Sequence, residues 1–367
     1  MRRSIETSEV ERDLHGGKER LKPVNVKTEK QTAVRLLKKL FNKEYVTVDK
    51  IPDQYKEPFI LTGYRQPYSS FLDCIVSGFR LNNETFNIWT HFIPFVVFIF
   101  YFWNTFPSQL WPLSAIEPRY YPLLSEQVSV LAYLLCSSIA HTFNCMSPKT
   151  RHTCFYIDYM AICMFGSGTA SATFYYLRPL NLNFFLYKSA NLFIGLNSLL
   201  CLGVAYVLCK SRHKWEKQKY LVRTLAFLTL FIYTHAPSLY RSAECATTGN
   251  ECTLGLKYLL ILWITFLGAA FFNASRLPER IFPKTFDIVG HNHQLMHTLS
   301  AFGTLAHFWG IYVDLNEREE FMETLLDGLT VYSSLGWSFT TLAVTCGLAL
   351  WFSSKLTPSG HIKNTAS

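Results

Sequence analysis

The chain has 367 residues, 49% of them hydrophobic and 16% aromatic, and carries a net charge of +9. Its apolar residues are gathered into blocks of roughly 20, the length of one bilayer crossing, which excludes an ordinary soluble domain. The basic residues lie between those blocks, so the charge is read as membrane topology and no nucleic-acid partner is expected.

From Met1 to Lys50 there is no continuous apolar run of the signal-peptide kind, so insertion through the first apolar block is expected. Residues 1–57 read as a cytosolic basic arm, rich in Lys, Arg and Glu over 1–30. Within it, 31–43 sets Val34, Leu37, Leu40 and Phe41 against Arg35, Lys38, Lys39 and Lys43. That pattern predicts a short amphipathic helix, lying on an anionic membrane surface or packed on its own domain. Residues 58–85 contain no apolar run long enough to span.

Eight apolar blocks follow, at about Asn87–Phe106, Gln127–Met146, Cys154–Leu177, Asn183–Leu208, Tyr220–Tyr240, Leu256–Asn273, Gly290–Val313 and Gly328–Phe352. Pro94 and Pro237 fall inside two of them, where kinks are tolerated. With eight crossings, one side holds sixteen Lys and Arg in residues 1–86, two in 147–153, five in 209–219, three in 275–290 and two in the tail. The other side holds four, Arg119, Arg178, Arg241 and Arg318. The positive-inside rule then puts both termini in the cytosol. The expected fold is an all-α integral membrane protein: a seven-helix core over 58–313, an acidic outer loop and an eighth span over 314–352, and a cytosolic tail over 353–367.

Cys245 and Cys252 share the outer loop between the fifth and sixth blocks. That compartment is oxidising, so a disulfide between them is expected. The sequons at Asn83 and Asn273 fall on the cytosolic side or in the membrane, and neither is expected to carry a glycan.

Ionisable residues inside spans are costly and usually functional. His293 and His297 are four residues apart and share one helix face. Ser137 and His141 are likewise one turn apart near the end of the second block, and Asp158 lies near the start of the third. A lone buried histidine is more often a satisfied core residue than a ligand. Here the charge-derived topology brings all of these side chains to one depth, in the inner leaflet. Three imidazoles with one open position make a zinc site. His141, His293 and His297 are therefore read as ligands of Zn2+, with Asp158 as partner of the water completing the site. Ser137 is a hydrogen-bonding group beside it, or a stabiliser of a developing oxyanion. His291 faces elsewhere, His307 is too far up the seventh helix to share the metal, and Asp287 is expected to cap that helix.

These residues resemble the progestin and adipoQ receptor family. The matching pieces are Gly63-Tyr64-Arg65, Asn83-Glu-Thr-Phe-Asn-Ile-Trp-Thr-His91, Ser137-x-x-x-His141, Asp158, Pro278-Glu279-Arg280 and His293-Gln-Leu-Met-His297, spread over residues 58–313. Within the family the sequence looks most like the membrane progestin receptors, whose additional C-terminal span fits the block after Gly328. The resemblance implies a seven-helix bundle with its amino terminus inside, and zinc held by His141, His293 and His297 with Asp158 and Ser137 alongside. It also implies a plasma-membrane receptor for a steroid, signalling rapidly and through heterotrimeric G proteins. Two further readings stand beside it. One is a zinc-dependent lipid amidase of the ceramidase kind, with Asp158 as proton acceptor and Ser137 near the oxyanion. The other is a structural zinc that ties three helices together.

Overall fold

The computed structural model describes residues 44–105, 116–179, 184–324 and 328–362. The expected amphipathic segment at 31–43 lies outside them. All regular structure among the described residues is helical, apart from two isolated β-bridges. A long helix lies over each of the eight apolar blocks. In chain order these are α1 (Thr85–Thr105), α2 (Tyr121–Phe143), α3 (Pro148–Ala172), α4 (Ala190–Ser211), α5 (Lys219–Thr248), α6 (Gly255–Ser275), α7 (Asn292–Glu317) and α8 (Trp337–Ser354). Wider π-helical turns extend α3 through Thr173–Leu177 and lead into α8 through Tyr332–Gly336.

Local chemistry sets several of the ends. The Ser147 hydroxyl accepts the Thr150 N–H at 3.0 Å, and Pro148 takes the first helical position of α3, where no N–H is needed. Gly249 closes α5 at φ 74°, a left-handed turn that glycine adopts without penalty.

Among the described residues, five helices are long and apolar enough to cross a membrane by themselves: Thr85–Thr105, Pro118–Phe143, Ala190–Ser211, Gly255–Ser275 and Tyr332–Ser354. The other three expected spans, α3, α5 and α7, have the length, at 25, 30 and 26 residues, but a more polar composition. For α3 and α7 their position explains it. Helix α3 is buried along most of its length and turns Asp158, Ser167, Thr169 and Ser171 inward. Helices α1 and α6 instead expose Ile93, Phe100, Trp103, Leu260 and Ile264. A helix that faces lipid must be apolar outside, whereas one enclosed by other helices can carry polar groups that its neighbours satisfy. One core is built around Phe98, Leu134, Phe174, Phe193, Phe308 and Ile311, and a second around Tyr156, Met160, Cys201 and Phe352. Helix α8 lies against α3 and α4, while α6 and α7 pack along each other.

At the end of the bundle far from His293, a disulfide joins Cys245 to Cys252. Beside it Arg241 pairs with Asp314, and both are fully buried. Thr253 donates its hydroxyl to Asp314 Oδ1 at 2.6 Å, and Arg318 Nη2 reaches Glu251 Oε2 at 3.1 Å. Arg241 and Arg318, two of the four basic residues on the outer side, are therefore both buried. They are interior partners of carboxylates that the sequence supplies from 251 and 314. Changing Asp314 to Asn leaves the Arg241 guanidinium buried without its counter-ion. The expected cost is about 3–5 kcal/mol, read as a large drop in melting temperature in detergent, and replacing both residues by apolar side chains of similar size should recover much of it.

Candidate metal centre

The site is assembled by the chain before α1, the end of α2 and the start of α7. Gly63 has φ 77°, a conformation open to glycine, and its carbonyl accepts the Asn83 N–H at 3.0 Å. That places Arg65 against the last turn of α2. Its guanidinium donates to the His141 carbonyl at 2.6 Å, the Thr142 carbonyl at 2.8 Å, Asn144 Oδ1 at 2.6 Å and Ser77 Oγ at 3.0 Å. A cation at a helix C-terminus satisfies carbonyls that have no partner within the helix. The start of α7 is held as firmly: Glu279 Oε2 accepts the Asn292 N–H at 2.8 Å, and Gln294 Oε1 accepts the Gly290 N–H at 2.6 Å. Asp287 does not cap α7. Its Oδ2 accepts from the Leu61 and Thr62 N–H groups and the Thr62 hydroxyl, so it anchors the 61–62 strand-like segment instead.

His141, His293 and His297 meet here, and one nitrogen from each lies within 4.8 Å of the others. His141 Nε2 and His293 Nε2 are 3.2 Å apart. Two nitrogens bound to a tetrahedral zinc at about 2.0–2.1 Å would be about 3.3–3.4 Å apart. Two of the outer nitrogens are engaged. His141 Nδ1 donates to Glu84 Oε2 at 2.8 Å, and His297 Nδ1 donates to the Asn87 carbonyl at 3.1 Å. Those bonds fix both tautomers with Nε2 facing inward, the arrangement that metal-binding histidines require. Glu84 also accepts from Asn87 at 2.7 Å and Asn144 at 2.7 Å. Burial would raise the Glu84 pKa, but His141, Arg65 and Arg151 together hold it well below the usual carboxylate range. The residues present fit a zinc ion.

The neighbouring histidines have other tasks. His291 precedes α7 and its Nε2 meets the Asn83 carbonyl at 3.0 Å. His91 stacks on His297 with ring centres 3.8 Å apart, and its Nε2 lies 3.2 Å from the Tyr133 hydroxyl. His307 pairs with Glu126.

Ser137, Asp158 and the three imidazoles line one cavity of about 250 Å³. Tyr133, Phe165, Phe231, Leu262 and Phe266 are among the aromatic and aliphatic residues of its wall beyond the triad. Near the triad end it is bordered by Glu57, Arg212, Tyr220, Arg223 and Arg276. Glu57 accepts from Arg151 at 2.6 Å and from the Tyr220 hydroxyl at 2.8 Å. Burial pushes its pKa up, but Arg151, Lys219 and Arg276 outweigh that and bring it down to about 2.

The profile of the Haemolysin-III related family matches residues 79–308, more than half of the chain. The chain belongs to this family, the progestin and adipoQ receptor family of the sequence resemblance. Membrane progestin receptor delta of Homo sapiens is 34% identical over 288 residues, covering 77% of this chain and 82% of that protein. Membrane progestin receptor gamma-A of Danio rerio is 32% identical over 337 residues, or 87% and 96% of the two chains. Membrane progestin receptor gamma of Homo sapiens is 34% identical over 317 residues, or 84% and 90%. With its apolar helices, this haemolysin-III-related chain is a membrane protein.

Glu84, Asn87, Asn144 and Arg65 were not assigned roles from sequence. The usable signal was Glu84, an acid directly before an apolar block, where an unpaired carboxylate would be costly. Glu84→Gln keeps the side-chain shape and removes the charge behind His141. Zinc affinity should fall about 10–100-fold, measured by chelator competition. His91→Phe keeps a ring against His297 and removes no ligand, so it should retain one metal per chain.

Proposed function

We propose that this chain is a multi-pass plasma-membrane receptor for a progestin or a related lipid, with Zn2+ held by His141, His293 and His297. The observation that carries this reading is the cavity, whose wall joins the triad to aromatic and aliphatic side chains of α2, α3, α5, α6 and α7. A largely apolar pocket with a few polar groups at defined places suits a flat lipid skeleton. The relatives named membrane progestin receptors support the same ligand class. The topology has eight spans with residues 1–57 and 353–367 in the cytosol, supported by the distribution of Lys and Arg. Signalling is rapid and non-nuclear, through heterotrimeric G proteins.

A second reading, a zinc-dependent lipid amidase acting on ceramide-like substrates, is favoured by Asp158. It is 7% exposed, lines the cavity with the triad, and its Oδ1 has no hydrogen-bond partner among the described residues. Zinc, when bound, polarises a carbonyl and lowers the pKa of water. In this reading the apolar wall aligns the acyl chain and excludes bulk water, Asp158 accepts a proton at a carboxylate oxygen, and Ser137 donates its hydroxyl to the developing negative charge. The two readings share one cavity, so a receptor that is a ligand-regulated hydrolase satisfies both.

Purified protein loaded with zinc should bind progesterone saturably, and His297→Ala should lose metal. If the hydrolase reading holds, Asp158→Ala abolishes ceramide turnover while zinc stays bound. Intact steroid binding with no hydrolysis by any variant removes the enzyme, and absence of stoichiometric zinc in wild type removes the metal centre. Antibody access to an N-terminal tag only after permeabilising cells is the expected result for the topology.

A further inference from the structure

The cavity has a second polar pole away from the triad. His235 on α5 and His307 on α7 line it there, at 3% and 1% exposure. His297 and His307 lie on one helix ten residues apart, so the poles are about 15 Å apart along its axis. Phe165, Phe231, Leu262 and Phe266 line the stretch between.

This pole is not a second copy of the metal centre. His307 Nδ1 donates to Glu126 Oε1 at 2.5 Å, which commits that nitrogen. Among the described residues, only His141, His293 and His297 bring three ligand atoms together. Nor is it a closed structural network. His307 Nε2, His235 Nδ1 and Glu126 Oε2 are buried without a hydrogen-bond partner among the described residues. The two rings meet edge to face with centres 4.9 Å apart, and no hydrogen bond joins them. Open polar atoms on side chains this buried call for a partner that the protein does not supply.

We propose that His307, oriented by Glu126, and His235 form a recognition point for one oxygen of the ligand, at the end that reaches deepest into the bundle. With its Nδ1–H held by Glu126, the His307 ring offers Nε2 as the acceptor for a ligand O–H. The His235 ring, which no side chain holds in one tautomer, donates N–H to the same oxygen. A hydroxyl makes both contacts and a carbonyl makes one. The ligand class is therefore an elongated, otherwise apolar lipid with an oxygen function at the far pole. This rests on the proposal that the cavity holds a steroid-like ligand.

The test uses the full chain with its metal, purified in nanodiscs. Binding of progesterone and of its analogues lacking the 3-oxygen or the 20-oxygen is compared in wild type, His235→Phe and His307→Gln. Removing one particular oxygen should weaken binding to wild type about tenfold. The same removal should make little difference in His235→Phe, which lacks the N–H that a carbonyl accepts, whereas His307→Gln should keep the wild-type difference, a coupling that also reports which end lies deep. Equal weakening of all three probes in His235→Phe would overturn the recognition point and leave the pole as a water-satisfied structural cluster. If wild type binds none of the probes, the steroid reading itself fails and the recognition point falls with it, a result distinct from binding without coupling. Zinc content and melting temperature control for folding. Should His235→Phe fail there, His235→Met, which also lacks the donor, carries the comparison.

Discussion

Imidazoles can converge on a metal in an apolar bundle only if their outer nitrogens are engaged, and here the chain around the start of α1 does that for two of the three. Glu84 takes the Nδ1 proton of His141, and the Asn87 carbonyl takes that of His297. Without those partners each ring could turn its donor nitrogen inward, and the converging nitrogens could not all be acceptors for a metal. Glu84 is itself a buried carboxylate, so it must be compensated in turn. Asn87, Asn144 and, one step out, Arg65 do so. The centre is therefore a set of nested shells whose outermost member also binds the carbonyls that end α2.

The same demand shapes the rest of the bundle. Helices that other helices cover can carry polar groups, which is why α3 and α7 are less apolar than α1 or α6. At the far end, Arg241, Asp314, Thr253 and Glu251 form a second closed polar set next to the Cys245–Cys252 bridge. The cavity lies between these two polar ends, with largely apolar walls and two polar poles of its own. Polar side chains at defined depths in an apolar slot can orient a lipid along its length.

Much of this was legible in the chain itself. Block length and periodicity mark the long helices, because a bilayer crossing needs roughly 20 apolar residues. The four-residue spacing of His293 and His297, with His141 and Asp158 at matching positions in their blocks, brought the centre into view. The family followed from the same motifs. Asp287 was misread, because an acid shortly before a helix looks like a cap whether or not its side chain turns toward that helix. In the folded chain its partners lie at 61 and 62, far away in sequence.

By itself, then, the sequence determined the helical class, the approximate positions of the long helices, the three imidazoles and the family, since each depends on composition or on spacing within one helix. Only the tertiary structure decided which nitrogen each histidine turns inward, that Glu84 stands behind His141, that Arg241 is an interior cation, and that His307 belongs to Glu126. Those facts are pairings between side chains more than 50 residues apart in the chain. Spacing within a helix fixes a direction and a height, but the partner a buried polar group finds depends on how the helices are turned against one another.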